Sequence, residues 1–211
     1  MTLLLFIRHG LTEMTGVRLS GWTPGLHLSQ TGREQAAGLV ERLSEAPIAA
    51  IYSSPLERCR ETVAPLARAH GLRVSRDKSL GEVGYGDWTN RPLKQLARTK
   101  LWRGVQSQPS SVRFPGGESF QEVQHRILSA ARRIADAHPG QTVVLCSHGD
   151  PIRLALSQFA GAHLDHFQRF IVSPASVSAV ALGEGGPPRM LAVNATEDLG
   201  HLFPRGDGSM S

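Results

Sequence analysis

Three short apolar runs constrain this 211-residue chain more than any other feature: residues 3–7, 48–52 and 142–146. None alternates polar and apolar residues as a half-exposed strand would. Successive side chains of a strand point to opposite faces, so an unbroken apolar run needs cover on both. Helical patterns separate the runs. Ser29 can cap a helix whose apolar face is Ala36, Leu39, Val40 and Leu43. Ser54-Pro55-Leu56-Glu57 reads as a capping box with proline at the first helical position. That helix runs toward His70, kinks or restarts near Pro65, and stops at Gly71. Ser119-Phe120-Gln121-Glu122 is a second capping box, ahead of Val123, Ile127, Ala131 and Ile134 on one face. Another helix starts at Asp150-Pro151 and stops near Gly161. Runs 176–182 and 189–194 read as strands joined by a Gly/Pro-rich turn at 183–188. The expected fold is α/β, three layers (α/β/α) around a mostly parallel central sheet.

Residues 1–200 fit a single domain. Within it, 78–117 is the least regular stretch and reads as a lid-like insertion over one end of the sheet, helical within 91–102 and loop from 106. The polar, glycine-rich segment 201–211 reads as a flexible tail.

A hydrophobic fraction of 40% excludes a disordered chain. The net charge of +5 favours acidic partners, but no basic run interleaved with aromatics points to nucleic acid. The apolar start at residues 3–7 is too short for a signal core and is followed at once by Arg8-His9, and no run reaches membrane-spanning length. A cytoplasmic protein that binds neither membrane nor nucleic acid is expected; an apolar edge strand offers a surface for a homodimer. The two cysteines, Cys59 and Cys146, make neither a disulfide framework nor a metal pattern.

Ligands of open α/β sheets bind beyond the carboxyl ends of the strands. There this chain places Arg8-His9-Gly10, Ser53-Ser54 and Ser147-His148-Gly149. The second leads into a helix with Arg58 in its first turn, and helix N-termini after Ser54 and near Asp150 add N–H groups. Two arginines, two histidines and helix N-termini make an anion site suited to phosphoryl transfer: guanidinium forks match phosphate oxygens, and a neutral imidazole is a nucleophile. One histidine can attack while the other donates to phosphoryl oxygens. The leaving alkoxide needs a proton, for which Glu82 is the first candidate and Asp87 the alternative. His163, His166 and Asp165 form too sparse a set for a metal. Trp22, Trp88 and Trp102 either line a substrate mouth or pack a core. Gly81, Gly84 and Gly86 read as backbone freedom near Glu82.

Arg8-His9-Gly10 after an apolar strand resembles the signature of the histidine phosphatase superfamily, the phosphoglycerate-mutase-like proteins. The resemblance spans about residues 3–195. It includes Leu28-Ser29-x-x-Gly32-x-x-Gln35-Ala36, the stretch from Ser53 to Thr62, Glu82 with Gly86-Asp87-Trp88, Pro115-Gly116-Gly117-Glu118-Ser119 and Ser147-His148-Gly149. It implies a phosphoglycerate-mutase-like fold and a phosphomonoesterase of the histidine acid phosphatase type. His9 would be phosphorylated. Arg8, Arg58, His148 and Gly149 would hold the phosphate, and Glu82 would protonate the leaving group and then activate water. No metal or cofactor is implied, and the partner is a small-molecule phosphate ester. Two positions depart from the family pattern. Leu11 stands where many members have Glu or Gln, and Thr15 stands near a phosphate-touching Asn, a contact that Thr15 or Arg18 could replace. A phosphoglycerate mutase is the alternative, although the arginine-rich insertion of that branch is not found between Asp87 and Ser147. A non-catalytic phosphate-ester-binding protein and a metal-dependent hydrolase are the weaker readings.

Overall fold

The computed structural model describes residues 1–183 and 186–203. The strands are β1 (Thr2–Arg8), β2 (Ile48–Ser53), β3 (Val74–Arg76), β4 (Thr142–Ser147), β5 (Val177–Leu182) and β6 (Arg189–Ala195). They form a six-stranded sheet in the order β3-β2-β4-β1-β5-β6. β3, β2, β4 and β1 are mutually parallel; β5 is antiparallel to both β1 and β6, so it alone opposes the rest. The helices are α1 (Gln30–Arg42), α2 (Glu57–Ala69), α3 (Leu93–Leu96), α4 (Lys100–Ser107), α5 (Phe120–Ala137) and α6 (Gly149–Phe159).

The unbroken apolar runs have the meaning the pleat gives them. In β1, Leu5 and Ile7 enter one core and Leu4 and Phe6 the other; in β4, Val144 and Cys146 oppose Val143 and Leu145 in the same way. One core is covered by α1 and α2 through Leu39, Cys59, Val63 and Leu66. The other is covered by α5 and α6 through Ile127, Ala131, Ile134, Ile152 and Phe159. A third cluster joins Val83, Trp88, Leu96, Val105 and Phe114 of the 78–117 stretch to Phe120, Val123 and Leu154 of α5 and α6. This stretch shares a buried apolar cluster with the helices. The fold is three-layered α/β/α with a mostly parallel sheet.

Three local expectations need correction, and one strand, β3, was not expected. α2 begins at Glu57 with Leu56 as its cap residue and no side-chain cap; the Ser54 hydroxyl lies 2.9 Å from His148 Nε2 and accepts from the Leu56 N–H at 3.4 Å. It runs through Pro65 to Ala69 without a break. Val63, Leu66 and Ala67 flank the proline and are buried, so packing outweighs the missing hydrogen bond. β3 carries no apolar run and was not legible. α4 continues to Ser107, and Pro109–Ser111 forms a further 3-10 turn where loop was expected. The capping box at Ser119 is present, with its hydroxyl accepting from Glu122 N–H and Glu122 accepting from Ser119 N–H.

Gly200–Leu202 forms a 3-10 turn and Phe203 is buried, so the first residues assigned to the tail are packed; the remainder, 204–211, lies outside the described residues. So does part of the 183–188 turn, at 184–185. No helix among the described residues is long and apolar enough to cross a membrane.

Candidate active site

The parallel strands β1 and β4 end side by side, Arg8 opposite Ser147, and the next residues are His9 and His148. The His9 N–H donates to the Ser147 carbonyl at 3.0 Å, which carries the ladder one step further and sets both histidines at one edge. Their rings meet edge to face with centroids 5.2 Å apart. Gly10 then turns the chain under α1. A Cβ on Gly10 would stand 2.8 Å from the Gly32 carbonyl, and one on Gly32 would stand 2.1 Å from the Leu11 carbonyl. The glycines of two distant motifs are thus one close backbone contact. The Gly10 N–H donates to Thr62 Oγ1 at 2.9 Å, tying the turn to α2.

His9 Nδ1 lies 2.7 Å from the Gly10 carbonyl, which can only accept. The proton therefore sits on Nδ1 and Nε2 carries a free lone pair. Burial, with Arg58 and then Arg8 nearby, lowers the His9 pKa to about 3. His148 is fully buried, its Nε2 2.9 Å from Ser54 Oγ, and burial with Arg58 holds its pKa well below the ordinary value. Both rings are neutral at neutral pH.

Arg58 is 0% exposed and has no acid at hydrogen-bond distance among the described residues. One N–H donates to the Gly21 carbonyl at 2.8 Å, while its Nε and Nη1 have no acceptor among the described residues. Arg8 donates to the Val172 carbonyl at 2.6 Å, and its Nε is buried without an acceptor. Buried guanidinium N–H groups left unpaired are costly, and an anion seated between them removes that cost. α6 starts at Gly149 without a side-chain cap and packs close to Arg8, so free N–H groups border the same space.

Glu82 is 8% exposed, and its carboxylate accepts from Val83 N–H at 2.9 Å. Burial and the charge of Asp150 raise its pKa to about 7, against the opposing pull of the Val83 N–H, Arg58 and Arg8. His148 Nδ1 is 3.9 Å from Glu82, beyond hydrogen-bond reach.

A cavity of about 410 Å³ opens over this group and is lined by Arg8, His9, Thr15, Arg18, Glu82 and Gly149 among others. Arg58 and His148 do not line it; they lie buried beside His9. Thr15 Oγ1 accepts from Thr12 N–H at 3.1 Å, and Arg18 donates to the Asn90 carbonyl at 2.8 Å. Asp87, the alternative acid, is exposed and outside the cavity wall. Of the tryptophans, Trp102 lines the cavity, Trp88 stacks behind it with centroids 6.2 Å apart, and Trp22 donates to the Glu82 carbonyl. His163 accepts from Asp165 N–H at 3.2 Å. Among the described residues no group of three or more His, Cys, Asp and Glu side chains could hold a metal ion.

Sequence reasoning missed the wall. Tyr85 donates to Asp150 at 2.9 Å and Arg153 to Asp150 at 3.2 Å; Phe114, Phe120, Gln106 and Gln168 complete the side away from the histidines. Only Asp150 and Arg153, three apart on a helix start, left a readable signal.

The chain is an α/β protein with two histidines and two arginines gathered at one end of its parallel strands. The model of the histidine phosphatase superfamily (branch 1) matches residues 4–196, and the chain belongs to that superfamily. It is 31% identical over 208 residues to phosphoserine phosphatase 1 of Hydrogenobacter thermophilus, covering 96% of this chain and 97% of the relative. Among solved structures it is similar to YhfR of Bacillus stearothermophilus, with a TM-score of 0.85, 29% identity, and coverage of 96% of this chain and 100% of that one. It is also similar to a mycobacterial glucosyl-3-phosphoglycerate phosphatase, with a TM-score of 0.81, 26% identity, and coverage of 92% and 98%.

Proposed function

We propose that this protein is a metal-independent phosphomonoesterase that acts through a phosphohistidine on His9. The observation that carries the reading is the pairing of a buried neutral His9, lone pair on Nε2, with buried guanidinium N–H groups of Arg58 and Arg8 that lack acceptors. The phosphoryl group of a small phosphate ester sits between the arginines, His148 and the Gly149 end of α6. Thr15 and Arg18, at the rim, supply the further contact. Fixed donors of this kind hold the charge on the equatorial oxygens.

His9 Nε2 attacks phosphorus, the P–O ester bond breaks, and the leaving oxygen takes the proton of Glu82. The alcohol departs. The Glu82 carboxylate then takes a proton from water, whose oxygen attacks phosphorus; the N–P bond breaks and its electron pair returns to Nε2. Phosphate leaves and Glu82 is protonated again. A carboxyl group with a pKa near 7 suits both halves, because it is both an available acid and an adequate base near neutrality. Hydrolysis is favoured over mutase chemistry because the relative named a phosphatase is 31% identical over 97% of its length, against 28% over 93% for one named a probable phosphoglycerate mutase.

The test is phosphate release from a panel of phosphomonoesters with chelator present, for the wild type and His9→Ala. Turnover is expected to survive chelation and to fall by more than about a thousandfold in His9→Ala. Undiminished turnover in His9→Ala would remove the role given to His9. Transfer to a second hydroxyl of phosphoglycerate outpacing hydrolysis would make the protein a mutase. The log of kcat/KM is expected to decline as pH rises through about 7, where Glu82 loses its proton, and that limb is expected to be absent in Glu82→Gln.

A further inference from the structure

The position of Glu82 is fixed through its backbone. Its carbonyl accepts the Trp22 indole N–H at 2.7 Å and an Arg126 N–H at 2.7 Å. Arg126, on α5, also donates to the carbonyls of Ser79 at 3.0 Å and Gly81 at 2.8 Å. The same guanidinium closes on Glu118, with Nε at 2.8 Å and Nη2 at 3.0 Å from its two oxygens. Glu118 accepts the Gly84 N–H at 2.7 Å and returns its own N–H to the Gly84 carbonyl at 2.7 Å. One side chain thus ties residues 79–84 to a helix and to the turn before it, with Glu82 in the middle. Gly81 belongs to the same device. Its φ of −68° and ψ of 163° suit any residue, yet a Cβ there would stand 2.1 Å from the Trp22 ring. The indole, and not the backbone conformation, requires glycine at this place.

From this geometry we propose that Trp22 and Arg126 are positioning residues for the reaction, a clamp on the Glu82 main chain that aims its carboxyl group at the leaving oxygen. The inference rests on Glu82 being the acid, as above. Neither residue lines the cavity, and their N–H groups are taken up by the carbonyls of Ser79, Gly81 and Glu82 and by Glu118. General-acid transfer needs the donor within hydrogen-bond reach of the oxygen it protonates, and a displacement near 1 Å costs about a hundredfold. The clamp holds that distance. Its loss therefore acts on the one step that needs Glu82 as an acid, expulsion of a poor leaving group.

The experiment compares kcat/KM for p-nitrophenyl phosphate, whose leaving group departs without help, and n-butyl phosphate, whose alkoxide does not. The variants are Glu82→Gln, Trp22→Phe, Arg126→Lys and Gly81→Ala, with inhibition by inorganic phosphate measured in each. Trp22→Phe removes the indole N–H and leaves a smaller aromatic ring; Gly81→Ala displaces the indole from the other side. Glu82→Gln is expected to lose the butyl ester selectively. The three clamp variants are expected to follow it, losing about 10- to 100-fold more on the butyl than on the p-nitrophenyl ester, with phosphate inhibition retained. Equal losses on both esters in the clamp variants, beside a selective loss in Glu82→Gln, would overturn the clamp while leaving the acid in place. Equal losses in Glu82→Gln itself would overturn the acid, and the clamp with it.

Discussion

At the scale of single residues, the site is built from groups that the fold holds in disfavoured states. Glu82 is buried beside Asp150 and its pKa rises from 4.5 to about 7. Above pH 7 its charge is disfavoured in the folded protein but not in the unfolded chain. Below pH 4.5 it is protonated in both and makes no difference. Glu82→Gln, neutral throughout, is therefore expected to stabilise the fold progressively between pH 4.5 and 7 and fully above it, by at most on the order of 3 kcal/mol. Urea unfolding of both proteins at pH 4 and pH 8 checks this; equal stabilisation at the two pH values would contradict it. Arg58 is fully buried, with Nε and Nη1 unpaired among the described residues, so replacing it by a residue of similar length and no charge removes that desolvation cost. Arg58→Met is expected to keep or raise the thermal midpoint while abolishing inhibition by inorganic phosphate. A large loss of stability with phosphate binding intact would refute that account. Of the residues singled out in the sequence, Arg8, His9, Thr15, Arg18, Glu82 and Gly149 share one cavity, and Arg58 and His148 back it. Arg8, His9, Arg58, His148 and Gly149 were legible because each ends or follows a strand or opens a helix, whereas Thr15 and Arg18 were named only through the family resemblance and Glu82 as a carboxyl group among apolar and glycine residues.

At the scale of elements, capping and close packing of backbones decide where the chain turns. The Ser119 capping box satisfies two N–H groups at the start of α5, the helix that carries Arg126. Ser119→Ala is expected to cost about 1 kcal/mol in chemical denaturation. The turn before α5 is more demanding. Gly86 has φ +53°, and a Cβ there would stand 2.1 Å from the Pro115 carbonyl; a Cβ on Gly117 would stand 2.1 Å from the Gly84 carbonyl. The segments pair through Asp87 N–H to Pro115 at 2.8 Å and Glu118 N–H to Gly84 at 2.7 Å. Gly86→Ala is expected to destabilise by more than Ser119→Ala, since it meets both strain and contact. The glycines were readable as turn residues, but their partners, some 30 residues away, were not. Helices were legible through their period and buried strands through their unbroken apolar runs, whereas β3 was not: Val74–Arg76 is short, largely exposed, and paired at the sheet edge with β2.

At the scale of the whole molecule, the three apolar clusters interlock: the 78–117 stretch packs on α5 and α6, which themselves cover the sheet. A lid of this kind does not come away as a separate unit, and unfolding is expected to be one cooperative transition. A ligand that joins Arg8, Arg58 and His9 is expected to stabilise all of it. Orthovanadate at about a hundred times its Kd should contribute roughly 2.7 kcal/mol. That raises the thermal midpoint by some 5–10 °C for a chain of this size, and the rise should be lost in Arg58→Met. Calorimetry with and without vanadate checks both; two separated transitions would show that the lid unfolds alone.

The sequence by itself determined the layered α/β architecture, the strand ends that carry arginine and histidine, and the anion chemistry those ends imply. Those features are local: they follow from side-chain period, caps and residue type, which neighbours in the chain specify. The tertiary structure alone decided which N–H groups hold the Glu82 carbonyl, why Gly81 must be glycine, that two Arg58 nitrogens lack acceptors among the described residues, and that Tyr85, Asp150 and Arg153 form the pocket wall. Each of these depends on a burial or a contact between segments far apart in the chain, and neither desolvation nor a missing partner leaves a mark on the order of residues.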